Sequence, residues 1–124
     1  METLNQISYD IIGAAYKVHS PLGPGLLEST YEVCMEHELI KMGYKVERQK
    51  SLPVIYDGVK LDAGYRIDLL VADNVIVELK SVTEMIPLYK GQLMTYLKLT
   101  ELKLGLLMNF NVTDMKKGIT RIIM

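Results

Sequence analysis

YRIDLLVADNVIVELKS, residues 65–81, alternates apolar and polar side chains in two runs separated by the short break Ala72-Asp73-Asn74. Alternation around a polar break is the pattern of a β-hairpin. Successive side chains of a strand point to opposite faces, so Ile67, Leu69 and Val71 share one face of the first strand and Arg66, Asp68 and Leu70 the other. In the second strand Val75, Val77 and Leu79 form one face, and Ile76, Glu78 and Lys80 form the other. A three-residue loop sets Val71 against Val75, Leu69 against Val77, Asp68 against Glu78 and Arg66 against Lys80, with Asn74 suited to the left-handed position. A two-residue loop would bring Asp68 across from Leu79 and mix the faces, which disfavours that register. Two carboxylates directly opposite each other repel. A divalent cation between Asp68 and Glu78 is the simplest way to offset that repulsion, and Lys80 lies on their face, close enough to share the site.

The rest of the chain bounds what such a hairpin can belong to. Its 124 residues are read as one domain, 1–124, large enough to bury a core without disulfide or metal staples. A net charge of -1 and an isoelectric point of about 6.1 rule out a globally basic nucleic-acid binder. The single cysteine, Cys34, excludes an internal disulfide framework and fits a reducing compartment, so the expected location is cytoplasmic. The start, METLNQISYD, has neither the basic nor the apolar region of a secretion signal. No apolar run approaches the roughly 20 residues of a membrane span. In that compartment the sequon Asn111-Val112-Thr113 carries no meaning.

Upstream, Leu4, Ile7, Ile11, Ile12, Ala15 and Val18 recur at helical spacing over residues 4–18, and His19-Ser20-Pro21-Leu22-Gly23-Pro24-Gly25 reads as a break. A second helix is predicted from about Leu26 to Met42, stopped by Gly43. Its apolar arc comprises Leu27, Tyr31, Cys34, Met35, Leu39 and Met42, with Glu28 misplaced on it, whereas Glu32 and Glu36 read as turned away and solvated. Tyr44 to Val54 reads as a strand with Pro53 near its end, Val54-Ile55-Tyr56 as its continuation or a new strand, and Asp57-Gly58 as a turn. Downstream, Pro87 is suited to the first turn of a third helix running to about Thr100, in which Gln92 and Tyr96 face the same way. Leu104 to Phe110 reads as a buried strand and Ile119 to Met124 as an edge strand. The order is that of a mixed α/β domain, with a right-handed crossover making the strand at 104–110 parallel to the one that starts at Val75.

Asp68 followed by Glu78-Leu79-Lys80 resembles the D…(D/E)-x-K signature of the restriction-endonuclease-like, PD-(D/E)XK nuclease superfamily. Gly25-Leu26-Leu27-Glu28-Ser29-Thr30-Tyr31 is similar to the GxxExxY pattern that names one small family within it, and Gln92-Leu93-Met94-Thr95-Tyr96 to the QxxxY helix motif of its RecB-like branch. The resemblance runs from residue 10 to residue 110. An ExK triplet alone is a weak signal, but these motifs together and in family order are a strong one. The departure is Ile67, which stands where the superfamily pattern has proline. The resemblance implies a restriction-endonuclease-like core: a mixed central sheet of about four to five strands flanked by helices, with an additional N-terminal helix. It also implies a metal-dependent nuclease whose partner is nucleic acid, DNA before RNA, with Mg²⁺, or Mn²⁺ in its place, as cofactor.

Phosphodiester hydrolysis needs a positioned water, a metal that polarises the phosphoryl oxygen and help for the leaving oxygen. Mg²⁺ takes hard oxygen ligands and only one or two carboxylates. By resemblance Asp68 and Glu78 supply these, the Leu79 backbone carbonyl adds an oxygen, and Lys80 orients the water or stabilises developing charge. Proximity to the metal would lower the lysine pKa. Glu28 reaches in from the second helix, as a ligand to a second ion or through a bound water, and Gln92 and Tyr96 hold substrate phosphate or brace the lysine.

Each residue also has a plainer reading. Asp68 and Glu78 are then a solvated face bridged by Arg66 and Lys80, an arrangement that buried neighbours make costly. Glu28 then pairs with Lys17 or Lys41, and Gln92 and Tyr96 are ordinary helix residues with Tyr96 in the core. Tyr31 reads as packing, His19 and His37 lack a second ligand at metal spacing, and Cys34 reads as core. For the whole chain the alternative is a non-enzymatic nucleic-acid-binding or protein-assembly module that keeps the nuclease fold. Beyond Lys45, Arg48, Lys50 and Lys116, Lys117, Arg121 there is no dense basic stripe, although phosphate contacts normally carry most of the affinity. A homodimer or a partner protein would then help to hold substrate, and Ile119 to Met124 is an edge on which a second copy could pair. Retention of both acids and the lysine favours the enzyme.

Overall fold

The computed structural model describes residues 3–124; the first two residues of the stretch read for a secretion signal lie outside them. Helix α1 (Leu4–Leu22) buries Ile7, Ile11, Ala14, Ala15 and Val18, and the Thr3 hydroxyl caps it by accepting the Gln6 N–H at 3.1 Å. The helix runs on through His19, Ser20 and Pro21, which the sequence places in a break. A proline loses only one helical bond when it sits in the last turn. The stop comes at Gly23, whose φ of 66° is left-handed and whose N–H bonds back to the His19 carbonyl at 2.7 Å. Helix α2 (Glu28–Lys41) follows and ends before Gly43, which has φ 93°.

The expected strand from Tyr44 to Val54 is broken in two. Strand β1 (Val46–Ser51) leads to Leu52-Pro53, where the proline cannot donate to a ladder, and β2 (Val54–Tyr56) pairs only with β3 (Val59–Leu61) in a separate ribbon. Asp57 and Gly58 both have positive φ at its turn, as the sequence predicts. Then come β4 (Arg66–Val71), β5 (Val75–Lys80), α3 (Pro87–Thr100), β6 (Leu104–Asn109) and, after a 3₁₀ turn, β7 (Ile119–Ile123). The main sheet has the order β1-β4-β5-β6-β7, mixed and five-stranded, with β5 and β6 parallel and β7 at the edge. This is the α/β architecture expected from the sequence, consistent with a restriction-endonuclease-like fold.

Helices α1 and α2 cover one face of the sheet, where Leu69, Val71, Val75, Val77 and Leu79 pack with Tyr31, Met35 and Leu39. Helix α3 covers the other, where Ile76, Leu107 and Ile122 meet Leu93, Tyr96 and Leu97. Gly105 lets α3 come close, since a Cβ there would lie 2.9 Å from the Leu93 side chain. Among the described residues no helix is long and apolar enough to cross a membrane.

The β4–β5 hairpin pairs Val71 with Val75 and Leu69 with Val77, the predicted register. Its left-handed residues are Ala72 (φ 55°) and Asp73 (φ 56°), not Asn74. The Asn74 N–H closes a tight turn onto the Val71 carbonyl at 3.0 Å, so residues 72 and 73 are the central pair that must carry positive φ. Ile67 also departs from the simple alternation, joining Leu52, Ile76 and Tyr96 on the α3 side. The β1–β4 register skips Gln49 and Asp68, and Gln49 is left-handed at φ 55°, so the alternation is interrupted there.

Candidate active site

The hairpin ladder stops at Leu69 and Val77. Beyond it two side chains take over from the backbone. The Asp68 N–H donates to Glu78 Oε2 at 3.2 Å, and the Leu79 N–H donates to Asp68 Oδ2 at 2.9 Å. The carboxyls of Asp68 and Glu78 are therefore brought together, through these side-chain bonds and not as the rung of the ladder that the sequence predicts. Arg66 and Lys80 do not form the next rung or bridge the acids. Arg66 pairs in register with Ser51 and reaches Asp62 at 3.6 Å.

Glu78 is only 5% exposed. Burial pushes its carboxyl up to about 10, reinforced by a hydrogen bond shared with the Asp68 carboxyl and by the Asp68 charge, while the Lys80 charge pulls the other way. Lys80 is half-buried with its ammonium 4.4 Å from the centre of the Tyr89 ring, a cation–π contact. It forms no salt bridge among the described residues.

Glu28 opens α2 and is exposed. Its Oε2 accepts the Ser81 N–H at 3.4 Å, while the Ser81 hydroxyl donates to the Leu26 carbonyl at 2.6 Å, so Glu28 reaches the residue after Lys80. Lys17 and Lys41 both bind Glu38, at 3.2 and 3.5 Å, so the plainer pairing for Glu28 does not form. Tyr31 closes the loop that sets Glu28 in place. It is fully buried, donates to the Gly23 carbonyl at 2.5 Å, accepts the Leu26 N–H at 3.2 Å and stacks on Phe110 at 4.5 Å.

Two residues that the sequence reading leaves out stand in this cluster. Glu32, read as solvated, is 5% exposed. The Gln49 side-chain amide nitrogen donates towards both Glu32 oxygens, at 2.9 and 3.0 Å, and lies 3.2 Å from Asp68 Oδ1. One amide nitrogen, with two hydrogens to give, thus gathers three oxygens of two acids from different elements. Burial, with the Asp68 charge adding to it, raises the Glu32 carboxyl despite the opposing Gln49 hydrogen bond. The readable signal for Glu32 was its position: at 100° per residue it falls only about 20° from Leu39 on the helix wheel. Gln49 had no such signal, because only folding makes its backbone left-handed.

From the other side of the sheet α3 contributes Tyr96, 5% exposed. Its phenol is pushed up to about 12 by burial and then by the charges of Glu78, Asp68 and Tyr65. Gln92, one turn earlier and half-buried, lines a cleft of about 760 Å³ with Tyr96, Tyr65, Val54, Leu88 and Leu99. The histidines stay outside the cluster: His19 is buried with Nε2 2.7 Å from the Val112 carbonyl, and His37 is exposed.

Among the described residues no three His, Cys, Asp or Glu side chains are already gathered as a metal shell. The acid pair nevertheless suits a hard divalent cation: its donors are carboxylate oxygens, and burial beside the Asp68 charge raises the Glu78 carboxyl in a way that a cation there would offset. A family model described as the PD-(D/E)XK nuclease superfamily matches residues 5–122, nearly the whole chain. No curated protein and no solved structure gives a match.

Proposed function

Because the chain belongs to the PD-(D/E)XK nuclease superfamily, we propose that it is a metal-dependent hydrolase of phosphodiester bonds in nucleic acid, DNA before RNA, of the GxxExxY kind. The observation that carries the reading is the exchange of hydrogen bonds between Asp68 and the strand bearing Glu78, at the point where the backbone ladder ends. Asp68 and Glu78 would hold Mg²⁺ or Mn²⁺, with the Leu79 carbonyl as a further oxygen and Glu28 or Glu32 as the third acid. When bound, the cation supplies Lewis-acid polarisation of the phosphoryl oxygen.

The protein's own groups do the rest. Lys80, held over Tyr89 and without a salt bridge among the described residues, donates to the attacking water and fixes its direction. Tyr96 and Gln92 position the substrate from α3. Glu78 must give up its proton before a cation can replace it, so cation affinity rises with pH and binding releases a proton.

Purified protein incubated with Mg²⁺ or Mn²⁺ and single-stranded, duplex and structured nucleic acids tests the activity. Lys80→Ala should lower cleavage by roughly 10²–10⁴-fold while leaving cation binding by calorimetry in place. The reading fails if no substrate is cut and Asp68→Ala matches the wild type in the cation titration.

A further inference from the structure

The cleft beside the acid pair has the wrong chemistry for phosphate. Its walls include Val54 from β2, Tyr65 from the approach to β4, and Leu88, Gln92, Thr95, Tyr96 and Leu99 from α3, and among the described residues no charged side chain lines it. A duplex offers a protein its charged backbone and the edges of stacked, paired bases, and its affinity rests on lysine and arginine neutralising phosphates. An unpaired strand offers the flat faces of its bases as well, and these are taken up by aromatic and apolar walls.

The cleft lies beside the site. Its wall residue Tyr65 stands three residues before Asp68, and its wall residue Tyr96 belongs to the same buried cluster as Ile67 and Ile76, which neighbour Asp68 and Glu78 along their strands. The Tyr65 and Tyr96 rings meet edge to face with centres 6.2 Å apart, so one aromatic corner is already assembled. Tyr65 is 46% exposed and Leu88 71% exposed, apolar surface that folding leaves uncovered. Its volume of about 760 Å³ is that of a site for a small organic group.

We propose that this cleft seats unpaired bases of a single-stranded nucleic acid, so that the strand reaching Asp68 and Glu78 is held by base faces against Tyr65 and Leu88, with buried Tyr96 as the floor and the Gln92 amide meeting a base edge. The proposal rests on the nuclease reading for its location and goes beyond it in naming the form of the substrate.

Fluorescence anisotropy in EDTA, where no cation supports cleavage, separates the contributions. The probes are one labelled single-stranded oligonucleotide as DNA and as RNA, the matching duplexes, and an abasic strand of equal length and charge. Single strands, of either sugar, should bind at least about tenfold tighter than the duplex and the abasic strand. Tyr65→Ala and Leu88→Ser should each remove roughly fivefold or more of that preference and leave abasic binding unchanged. Leu88 is too exposed for its replacement to unfold the protein, so a null result with Leu88→Ser counts fully. Equal affinity for all probes, no detectable binding, or a dimer in sedimentation that Leu88→Ser disperses overturns the proposal. Metal-dependent cutting of duplex without single-strand preference would sink it and leave the nuclease reading standing. Base-dependent binding without cleavage would do the reverse.

Discussion

The two ends of the β4–β5 hairpin are built from the same strands and behave as different materials. At the turn end Val71, Val75, Leu69 and Val77 are fully buried and paired in register, and Lys45 clamps Asp73 at 3.1 Å. At the open end the carboxyls of Asp68 and Glu78 take over the bonding, one of them in a nearly water-free position. The closed end stabilises the fold by apolar burial. The open end holds two acids together, and the fold supports it because the burial on both sheet faces is large. Stability and chemistry are separated by a single rung.

The largest expected effect comes from breaking the closed end. Leu69→Ala should cost about 2–5 kcal/mol, the range for emptying a fully buried leucine site, read as a loss of stability in urea unfolding. In the fraction still folded, cation affinity should stay near the wild-type value. Lost affinity in folded Leu69→Ala would mean that the two ends are not independent.

Glu78→Gln should act in the opposite direction. A glutamate whose folded pKa lies near 10 against 4.5 for the free group contributes its full stability below pH 4.5 and loses it as pH rises towards 10. The glutamine keeps a hydrogen-bond donor for Asp68 without that dependence. In EDTA the variant should therefore match or fall slightly below the wild type at pH 5 and exceed it by roughly 1–3 kcal/mol at pH 8, while losing proton release in calorimetric Mg²⁺ titrations. Parallel pH profiles for the two proteins would show that Glu78 is not the proton-holding acid.

The sequence made the closed end and the acid pair legible because both rest on period-two alternation, which one strand pair expresses by itself. The α2 stop before Gly43 and the α3 start at Pro87 were legible from single local residues, whereas α1 runs past the break read from His19 onwards. What escaped depends on a third element. Glu32 needs β1 beside it before its burial means anything, and Gln49 needs the interrupted β1–β4 register to aim its amide. Ile67 was assigned to the wrong face because alternation was carried through that interruption. Glu28 carries the family motif yet is exposed, whereas Glu32, which the motif leaves out, is buried against Asp68.

That contrast leads to the last effect, and the one that most sharpens the picture of the open end. Removing the Gln49 amide leaves Glu32 buried with Arg48, 4.0 Å away, as its one ion-pair partner among the described residues, and should cost about 1–3 kcal/mol. Alanine would mix this with backbone strain, since residue 49 sits at φ 55°. Gln49→Asn tolerates that conformation better and its shorter amide cannot reach three oxygens, so it isolates the side chain. If the amide stands where positive charge is wanted, Mg²⁺ should restore more of the lost melting temperature in Gln49→Asn than it adds to the wild type. It should restore none when Glu32→Gln is combined with it. Equal Mg²⁺ shifts in all three proteins would reduce Gln49 to an ordinary hydrogen-bond donor, and the third acid would then be sought at Glu28.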